Sequence, residues 1–454
     1  MTPHPDVQLP IRDLWVSPDN DIRHRRGYSL LHEGDLRGNV QPTKTKYISG
    51  KDTMQVVLRP YIFVGQCFGL IPVRGIFSED PKDLMFSWKA KRTIYSLIIL
   101  AITTIMSLMH ISGSLKYHGL GFKSLDYIVR GLMSIVHMII FLGQAHSWPK
   151  LMIEWSKTER QMKHFHPILG LSKKIYFFIF MFGLGTVLLV MARIIGNFPS
   201  FHQCSEDLSE LFLLSVYAMQ YYIFLVTDFS LYKTVISVVF LIHRCLMNVY
   251  DELTIIVFTY SLYLRFRQLQ EHLFKAKDKR MPITYWTKMR ETYNQLSRLT
   301  RRLDDHLAWM TLVCFASNLY FICDLLLRTL SFKKNSSLTN WLTLYILLFT
   351  LVRTFGAALM ASAVHNESKK LLPLLFSITS DSYNREVGRF KMQVIHSEIM
   401  ITGCNFFSLT RSFILTVAGT IATYEVVLLQ FGPPNEINFA PLNISEICGL
   451  IRQK

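Results

Sequence analysis

Long runs of apolar residues, separated by polar or basic stretches, occupy most of the chain from about residue 93 onwards. Each run has roughly the 20 residues that an α-helix needs to span a bilayer. The runs are too continuous for the alternating strands of a membrane β-barrel, and the prolines lie outside them, where helices end. They cover about 93–112, 125–147, 174–196, 207–227, 231–264, 307–330, 341–364 and 406–431. The pattern predicts an all-α bundle of membrane helices.

The composition also indicates a membrane protein. Of the 454 residues, 50% are hydrophobic and 18% are charged, whereas soluble domains carry about 25% charged residues. The net charge of +17 could suit nucleic acid, but in a membrane protein the distribution of charge is more informative, and we expect no nucleic-acid partner. The seven cysteines form no CxxC pair, and no catalytic motif is recognisable. We therefore expect no metal, no cofactor and no enzyme activity.

Lysine and arginine residues are concentrated in three of the connections between the runs. Six lie between residues 148 and 174, eleven between 265 and 302, and five between 365 and 400. Connections rich in these residues face the cytoplasm, and these three face the same side only if the run at 207–227 does not cross the membrane. The sequence therefore predicts seven transmembrane helices, with the N-terminus inside and the C-terminus outside. This orientation is opposite to that of a G-protein-coupled receptor.

This topology divides the chain into five regions. They are a cytoplasmic N-terminal region at 1–90, helices 1–4 at 91–264 with an extracellular apolar segment at 207–227, a cytoplasmic helical region at 265–306, helices 5–7 at 307–431 and an extracellular tail at 432–454. The N-terminal region is polar and shows no signal peptide. The fourth span is placed at about 245–264, because the earlier part of its run contains Lys233 and Arg244.

Two glycosylation sequons agree with this topology. Asn335 and Asn443 begin sequons in predicted extracellular segments and are predicted to carry glycans. Asn366 begins a sequon on the cytoplasmic side and is predicted to stay bare. Cys204 and Cys448 also lie in predicted extracellular segments, and a disulfide between them is left open.

The last apolar run ends in ATYEVVLLQF, residues 422–431, which resembles the TYhhhhhQF signature of insect gustatory receptors. The stretch 406–431 is similar to the last helix of the sugar-sensing subfamily, and LYFIC at 319–323 and NESK at 366–369 also resemble it. The resemblance implies tetrameric ligand-gated cation channels of this inverted topology, in the plasma membrane of chemosensory neurons. It implies homo- or heterotetramers of related subunits with cytoplasmic helices between them. The amphipathic stretch 284–306 could instead lie on anionic membrane lipids.

Four residues of the signature are predicted to form the pore and its gate. Thr423, Val427 and Gln430 are spaced i, i+4 and i+7 on one helix face, and Phe431 ends the signature. By resemblance to the family's pore helix, four copies would form an apolar ring of Val427 and, one turn outward, an amide ring of Gln430. The apolar ring would block ions by dewetting, and the amides would replace part of an ion's water when it opens. The alternative is a buried helix in which Gln430 bonds a neighbouring backbone.

Ionisable residues inside the membrane runs are candidates for a ligand site. At about 1.5 Å per residue, Glu252 and Arg353 lie roughly 20 Å above the inner interface. Asp324, Arg193 and Arg130 lie roughly 27–29 Å above it. Charges at this depth require partners or a water-filled cavity. The five residues are therefore predicted to gather in the outer half of the bundle.

An outward-facing cavity of this kind would suit a sugar. Carboxylate, guanidinium and amide groups hold hydroxyl groups directionally, and aromatic faces can cover the apolar side of the ring. The aromatic candidates are Tyr320, Trp341, Tyr345 and Tyr250. The alternatives are a simple helix pair between Asp324 and Arg328 and interface anchoring of the two outermost arginines. His137 and His243 are predicted to be packed or hydrogen-bonded rather than functional.

The sequence thus predicts a non-selective cation channel that an extracellular mono- or disaccharide opens, acting as a sweet-taste receptor. Sugar binding would open the gate only through a higher affinity for the open state. Two alternatives stay open. One is an obligate co-receptor subunit of a mixed channel, which senses nothing itself. The other is a sugar transporter, which would show saturable uptake without unitary currents.

Overall fold

The computed structural model describes residues 53–119, 122–168, 170–202, 204, 207–224, 226–227, 231–330 and 337–431. Helices make up most of this part of the chain. In chain order they are α1 (Met54–Val57), α2 (Arg59–Cys67), α3 (Lys91–His118), α4 (Phe122–Gln161), α5 (Leu171–Ile195), α6 (Phe198–Phe201), α7 (Leu208–Met219), α8 (Tyr221–Phe224), α9 (Leu231–Phe274), α10 (Ile283–Leu330), α11 (Ser337–Lys369), α12 (Leu371–Phe376), α13 (Arg385–His396) and α14 (Arg411–Phe431). An antiparallel hairpin of β1 (Thr402–Gly403) and β2 (Phe407–Ser408) precedes α14.

Six of these helices, α3, α4, α5, α9, α10 and α11, are long and apolar enough to cross a membrane. The chain is therefore a multi-pass membrane protein, as predicted. α14 has 21 residues, about 32 Å of helix, which also matches the hydrocarbon core of a bilayer. The apolar α7 has 12 residues, about 18 Å, and is too short to cross. Each run that we predicted as a span overlaps one of these seven long helices.

The helix that contains the fourth predicted span begins earlier than expected. The prediction placed the span at 245–264, after a long connection, but α9 is one unbroken helix of 44 residues that begins at Leu231. Neither proline nor glycine occurs within α9, so nothing in its sequence interrupts the backbone hydrogen bonds. Lys233 and Arg244, which were interpreted as part of the connection, belong to this helix.

α4 also continues past its expected end. The apolar run was expected to stop before Pro149, but the helix passes through this proline and ends at Gln161. A proline inside a helix removes a backbone hydrogen bond and costs about 3 kcal/mol. Burial of large side chains on both sides offsets this cost, because Trp148, Leu151 and Trp155 are buried in the core.

The largest buried cluster joins α4, α9 and α10 to the N-terminal helices α1 and α2 and to α13. We call it the aromatic core after its buried rings, Trp148, Trp155, Phe258, Trp286 and Phe390. Phe258 meets Trp148 edge to face, with ring centroids 5.4 Å apart, and meets Trp155 at 5.9 Å. Edge-to-face contacts are a favoured geometry for aromatic pairs. The core thus fixes α4, α9 and α10 relative to one another.

Two ion pairs border the aromatic core. Arg265 on α9 donates to Glu159 on α4 at 2.7 Å, and the same carboxylate oxygen accepts the backbone N–H of Met54 at 3.1 Å. Arg290 on α10 donates to Glu386 on α13 at 2.8 Å. The guanidinium group of Arg290 holds the pKa of Glu386 below its usual range. Each of these carboxylates therefore has a guanidinium partner and little room around it.

A glycine allows α8 to approach α3 closely. A Cβ atom on Gly113 of α3 would lie 1.9 Å from the carbonyl oxygen of Tyr222 on α8, which no side chain could accommodate without a backbone shift. The Tyr222 ring lies 4.5 Å from that of Tyr127 on α4. His110 on α3 is hydrogen-bonded to Gln220, which follows α7, at 2.6 Å. These contacts hold α7 and α8 against α3 and α4.

α14 is much less covered by the rest of the chain than the other long helices. Leu415 is 74% exposed and Val426 is 52% exposed. Ile421 is buried, and it packs against Ile322 on α10 and Leu347 on α11. One side of α14 thus rests on α10 and α11, while most of its apolar side chains have no cover within the described part of this chain.

Candidate ligand site

Four charged residues on α4 and α10 form one network. Arg130 donates to Asp126 at 2.8 Å and to Asp324 at 3.0 Å. Arg328 donates to Asp324 at 2.9 Å and lies 3.5 Å from Asp126. On each helix the two residues are four positions apart, which places them on one face. The two facing pairs therefore neutralise two guanidinium groups with two carboxylates.

A second charged pair links α9 to α11. The Nε atom of Arg353 lies 2.6 Å from Oε2 of Glu252, a residue with no exposed surface. The angle between the two groups departs from hydrogen-bond geometry, so the contact is an ion pair rather than a hydrogen bond. The other carboxylate oxygen of Glu252 accepts from Asn318 at 2.6 Å and from Thr354 at 3.1 Å. These three partners on α10 and α11 hold the buried carboxylate in place.

A cavity of about 60 Å³ lies beside both groups of charges. Residues of α4, α5, α9, α10 and α11 line it, and four of them are arginines: Arg130, Arg193, Arg244 and Arg353. Neutral polar groups are contributed by Ser134, Asn248 and Thr350, and an aromatic face by Phe321. The guanidinium group of Arg130 stacks over the Phe321 ring at 4.7 Å. The cavity is therefore rich in hydrogen-bond donors and has one aromatic wall.

The structure brings the five predicted ionisable residues to this cavity or directly behind it. Arg130, Arg193 and Arg353 line it directly. Asp324 and Glu252 lie one contact behind it, as partners of lining arginines. The pairing of Asp324 with Arg328, considered as a simple alternative, is present together with the contact to Arg130.

The predicted aromatic residues lie at different distances from the cavity. The hydroxyl group of Tyr320 donates to Asp126 at 3.2 Å, which joins this tyrosine to the charge network beside the cavity. Tyr345 stacks on Phe349, whose ring lies under the guanidinium group of Arg353. Trp341 and Tyr250 do not line the cavity. Trp341 is 69% exposed, and Tyr250 stacks on Tyr61 and donates its hydroxyl group to the Tyr61 carbonyl oxygen.

Three residues of this site do not emerge from the sequence pattern. Arg244 and Asn248 lie in the part of the chain where the fourth span was expected to begin, and Arg244 was set aside with the preceding connection. Asp126 was overlooked because it lies at the very start of its apolar run, although its position four residues before Arg130 is a usable signal.

The two histidines are bonded within the bundle, as the sequence indicated. Nε2 of His137 lies 2.8 Å from Oδ2 of Asp251, and both side chains are fully buried. The ring of His243 is 3.0 Å from the carbonyl oxygen of Phe68. Neither residue lines the cavity.

Three of the predicted pore residues share the uncovered side of α14. The hydroxyl group of Thr423 donates to the carbonyl oxygen of Gly419 at 2.9 Å, and Val427 and Gln430 are exposed. The side chain of Phe431 lies outside what the structure describes, as do Asn335, Asn443 and Cys448. Cys204 takes part in a disulfide.

The model of a family described as trehalose receptor matches residues 36–439 of the chain. The chain belongs to the sugar-sensing gustatory receptors of insects. Among curated members, it is 31% identical over 422 residues to gustatory receptor for sugar taste 64f of Drosophila melanogaster, covering 90% of this chain and 88% of that one. It is 28% identical to gustatory receptor 5a for trehalose of the same species, covering 90% of each.

The fold of this gustatory receptor is also that of a solved insect receptor. The structure of the olfactory receptor OR5 from Machilis hrabei in complex with eugenol matches with a TM-score of 0.61, covering 83% of this chain and 99% of that one. The two sequences are 16% identical, so the likeness concerns the fold. OR5 without eugenol matches equally well, with a TM-score of 0.60.

Proposed function

We propose that this gustatory receptor is a subunit of a non-selective cation channel that an extracellular mono- or disaccharide opens, and that it acts in sweet taste. The observation that carries the proposal is the donor-rich cavity between five helices, in a chain of the sugar-sensing family. Relatives that cover the same length are named for sugar taste and for trehalose. The ligand class follows from the family and the chemistry of the site together.

The cavity walls suit a polyol. Sugar hydroxyl groups accept from guanidinium and amide groups, which Arg130, Arg353 and Asn248 supply. They can donate to the carboxylates of Asp324 and Glu252, which lie directly behind the lining arginines. Phe321 offers a flat face for the apolar side of a sugar ring. The site can therefore satisfy both kinds of hydroxyl contact and the ring itself.

The volume indicates what binding would require. The cavity of about 60 Å³ is well below the roughly 300–1,000 Å³ of typical small-molecule sites. A sugar would therefore have to separate the helices that line the cavity. Such a widened form would bind sugar better than the contracted form, and this differential affinity is what a ligand needs to shift a conformational equilibrium.

The seventh helix is placed to respond to this widening. Ile421 of α14 packs against Ile322 on α10, two residues before Asp324, and against Leu347 on α11, six residues before Arg353. We propose that outward movement of α10 and α11 draws α14 with it. In a tetramer of this or related subunits, four α14 helices would enclose the pore, with Val427 and Gln430 at the gate.

The first experiment is patch-clamp recording from cells that express this chain alone and, separately, with a related subunit, while mono- and disaccharides are applied. Sugar-evoked currents from the chain alone support the proposal. Currents that appear only with the related subunit support the co-receptor alternative. Sugar uptake without unitary currents, at confirmed surface expression, would reject the channel.

A second experiment tests the pore. Replacing the amide in Gln430→Ala is expected to change single-channel conductance or gating, because an amide ring at the gate would contact the permeating ion. Ile414→Val on the opposite face of the same helix, where the side chain packs against the aromatic core, is the control. Unaltered conductance and gating in Gln430→Ala would remove this residue from the pore.

The topology can be tested separately. We propose glycans on Asn335 and Asn443, with the N-terminus in the cytoplasm and the C-terminus outside, in the plasma membrane. Removing each sequon with Asn→Gln should increase electrophoretic mobility for these two positions and leave it unchanged for Asn366. A glycan on Asn366 would place that segment outside and contradict the topology.

A further inference from the structure

The charges around the cavity do not balance. Five arginines surround it or its network: Arg130, Arg193, Arg244, Arg328 and Arg353. Three carboxylates pair with them, those of Asp126, Asp324 and Glu252. All three are engaged by Arg130, Arg328 or Arg353. Within the described residues, neither Arg193 nor Arg244 has a carboxylate within 4.0 Å.

The two arginines without a carboxylate partner, Arg193 and Arg244, line the same cavity and repel each other. Arg193 projects from α5 and Arg244 from α9, both line the cavity, and each lies within electrostatic range of the other and of Arg130. Asp126 is the carboxylate that acts on both, and it already bonds Arg130. Asp251 of α9 acts electrostatically on Arg353, but it is paired with His137 at 2.8 Å and does not line the cavity.

The other cavity walls carry no negative charge. Ser134, Asn248 and Thr350 contribute neutral dipoles, and the remaining lining residues are apolar or cysteine. Uncompensated charges inside a membrane bundle are costly, and water solvates them without neutralising them. A cavity with two surplus guanidinium groups therefore attracts an anion.

We propose that the cavity holds a small monovalent inorganic anion, such as chloride, bound between Arg193 and Arg244. The volume of about 60 Å³ admits a small ion with its nearest water molecules but not a sugar acid or a lipid headgroup. Guanidinium groups on α5 and α9 would then bind one ion, which ties these two helices together. This anion site goes beyond the proposed function, because only the charge balance and the volume of the cavity support it.

The consequence for taste does rest on the proposed function. If a sugar must widen the cavity, an ion that holds α5 and α9 together favours the contracted form. Replacing extracellular chloride with isethionate should therefore lower the sugar concentration that gives half-maximal current. This test depends on sugar gating, so the anion site itself needs a readout without sugar or current.

That readout is the thermal unfolding midpoint of the purified full-length protein in detergent, measured in chloride and in isethionate at equal ionic strength. We expect about 150 mM chloride to raise the midpoint by roughly 3 °C. Arg193→Gln and Arg244→Gln should each abolish this difference, whereas Arg193→Lys and Arg244→Lys keep the charge and should retain part of it. Arg280→Gln removes an exposed guanidinium group elsewhere and should leave the difference intact.

Two results would overturn the anion site. One is the absence of a chloride effect on the wild-type protein. The other is an effect that persists undiminished in both Gln variants. Should the Gln variants not fold, anomalous scattering from bromide in crystals of the wild-type protein decides: a peak between Arg193 and Arg244 supports the site, and its absence rejects it. Stabilisation by a short-chain anionic phospholipid with no response to chloride would assign the arginines to a headgroup and reject the small ion.

Discussion

Among the described residues, arginine–carboxylate pairs with little exposure lie both beside the aromatic core and at the cavity, and the two groups differ in how their charges are balanced. Beside the aromatic core, Arg265 meets Glu159 and Arg290 meets Glu386, and packed rings fill the surrounding space. At the cavity, the arginines outnumber the carboxylates, and space remains between the helices. We therefore propose that guanidinium charge without a carboxylate partner, next to an unfilled volume, marks the site that can take a ligand, whereas the balanced pairs join helices.

The difference has a physical basis. A buried ion pair roughly compensates its own desolvation cost, so it specifies geometry without a further partner. A surplus cation in a low-dielectric interior leaves a desolvation cost that a bound anion can relieve. Ionisable residues within membrane spans are costly and mark functional sites, and an unbalanced charge adds a reason to expect a bound partner.

The largest expected effect comes from breaking a pair beside the aromatic core. Glu159→Leu would leave Arg265 buried without a carboxylate and remove the acceptor of the Met54 N–H, so we expect a loss of about 3–5 kcal/mol of stability. Thermal unfolding of the purified protein measures it. A midpoint within one degree of wild type would mean that this pair does not hold α4 against α9.

At the cavity, the same kind of change should affect ligand response more than folding. Glu252→Gln keeps the size of the side chain and an oxygen that accepts from Asn318 and Thr354, but it leaves Arg353 without its carboxylate partner. We expect at least a tenfold higher sugar concentration for half-maximal current, equivalent to about 1.4 kcal/mol, with unchanged single-channel conductance. Dose–response recordings measure the shift; an unchanged dose–response curve would remove Glu252 from the response to sugar.

A subtler change alters the charge balance directly. Asp126→Asn leaves Asp324 as the only carboxylate for two arginines, so stability should fall by about 1–3 kcal/mol. Because one more positive charge is then unbalanced, chloride should stabilise this variant more than it stabilises wild type. Unfolding midpoints in chloride and isethionate provide the measurement. A chloride effect equal to or smaller than that of wild type would contradict the charge surplus.

The smallest effect is expected where an ion pair is solvated. The side chains of Arg280 and Asp381 are 82% and 60% exposed. Arg280→Ala should therefore change stability by less than about 0.5 kcal/mol. Thermal unfolding provides the measurement. A larger loss would show that this exposed pair contributes to stability despite its solvation.

The long helices of the bundle could be predicted from the sequence, because a run of apolar residues and the basic residues that flank it are features of one contiguous segment. The alternation of Lys and Arg predicted that the run at 207–227 does not cross the membrane, and the longest helix within that run, α7, has 12 residues. The depth of Arg130, Arg193 and Arg353 could be counted along their helices, which placed them near one another.

What the sequence could not give depends on contacts between helices. Pro149 is tolerated because Trp148 and Trp155 bury against α9, a compensation that no local pattern reveals. Arg244 was assigned to the connection before the fourth span. From the sequence alone, a single basic residue at the edge of an apolar run is compatible with either a helix end or a cavity wall. Tyr250 was predicted to contact the ligand, but its ring stacks on Tyr61 of α2, a contact between helices that the sequence does not reveal.

The continuity of α9 has a mechanical consequence. Arg265 beside the aromatic core follows Arg244 at the cavity by 21 positions of unbroken helix, about 32 Å. With Arg265 fixed by Glu159, a tilt of about 5° around that point would shift Arg244 sideways by about 3 Å. Because α9 is unbroken and held at Arg265, a small change in its tilt would displace its cavity end far enough to make room for a ligand, without bending of the helix backbone.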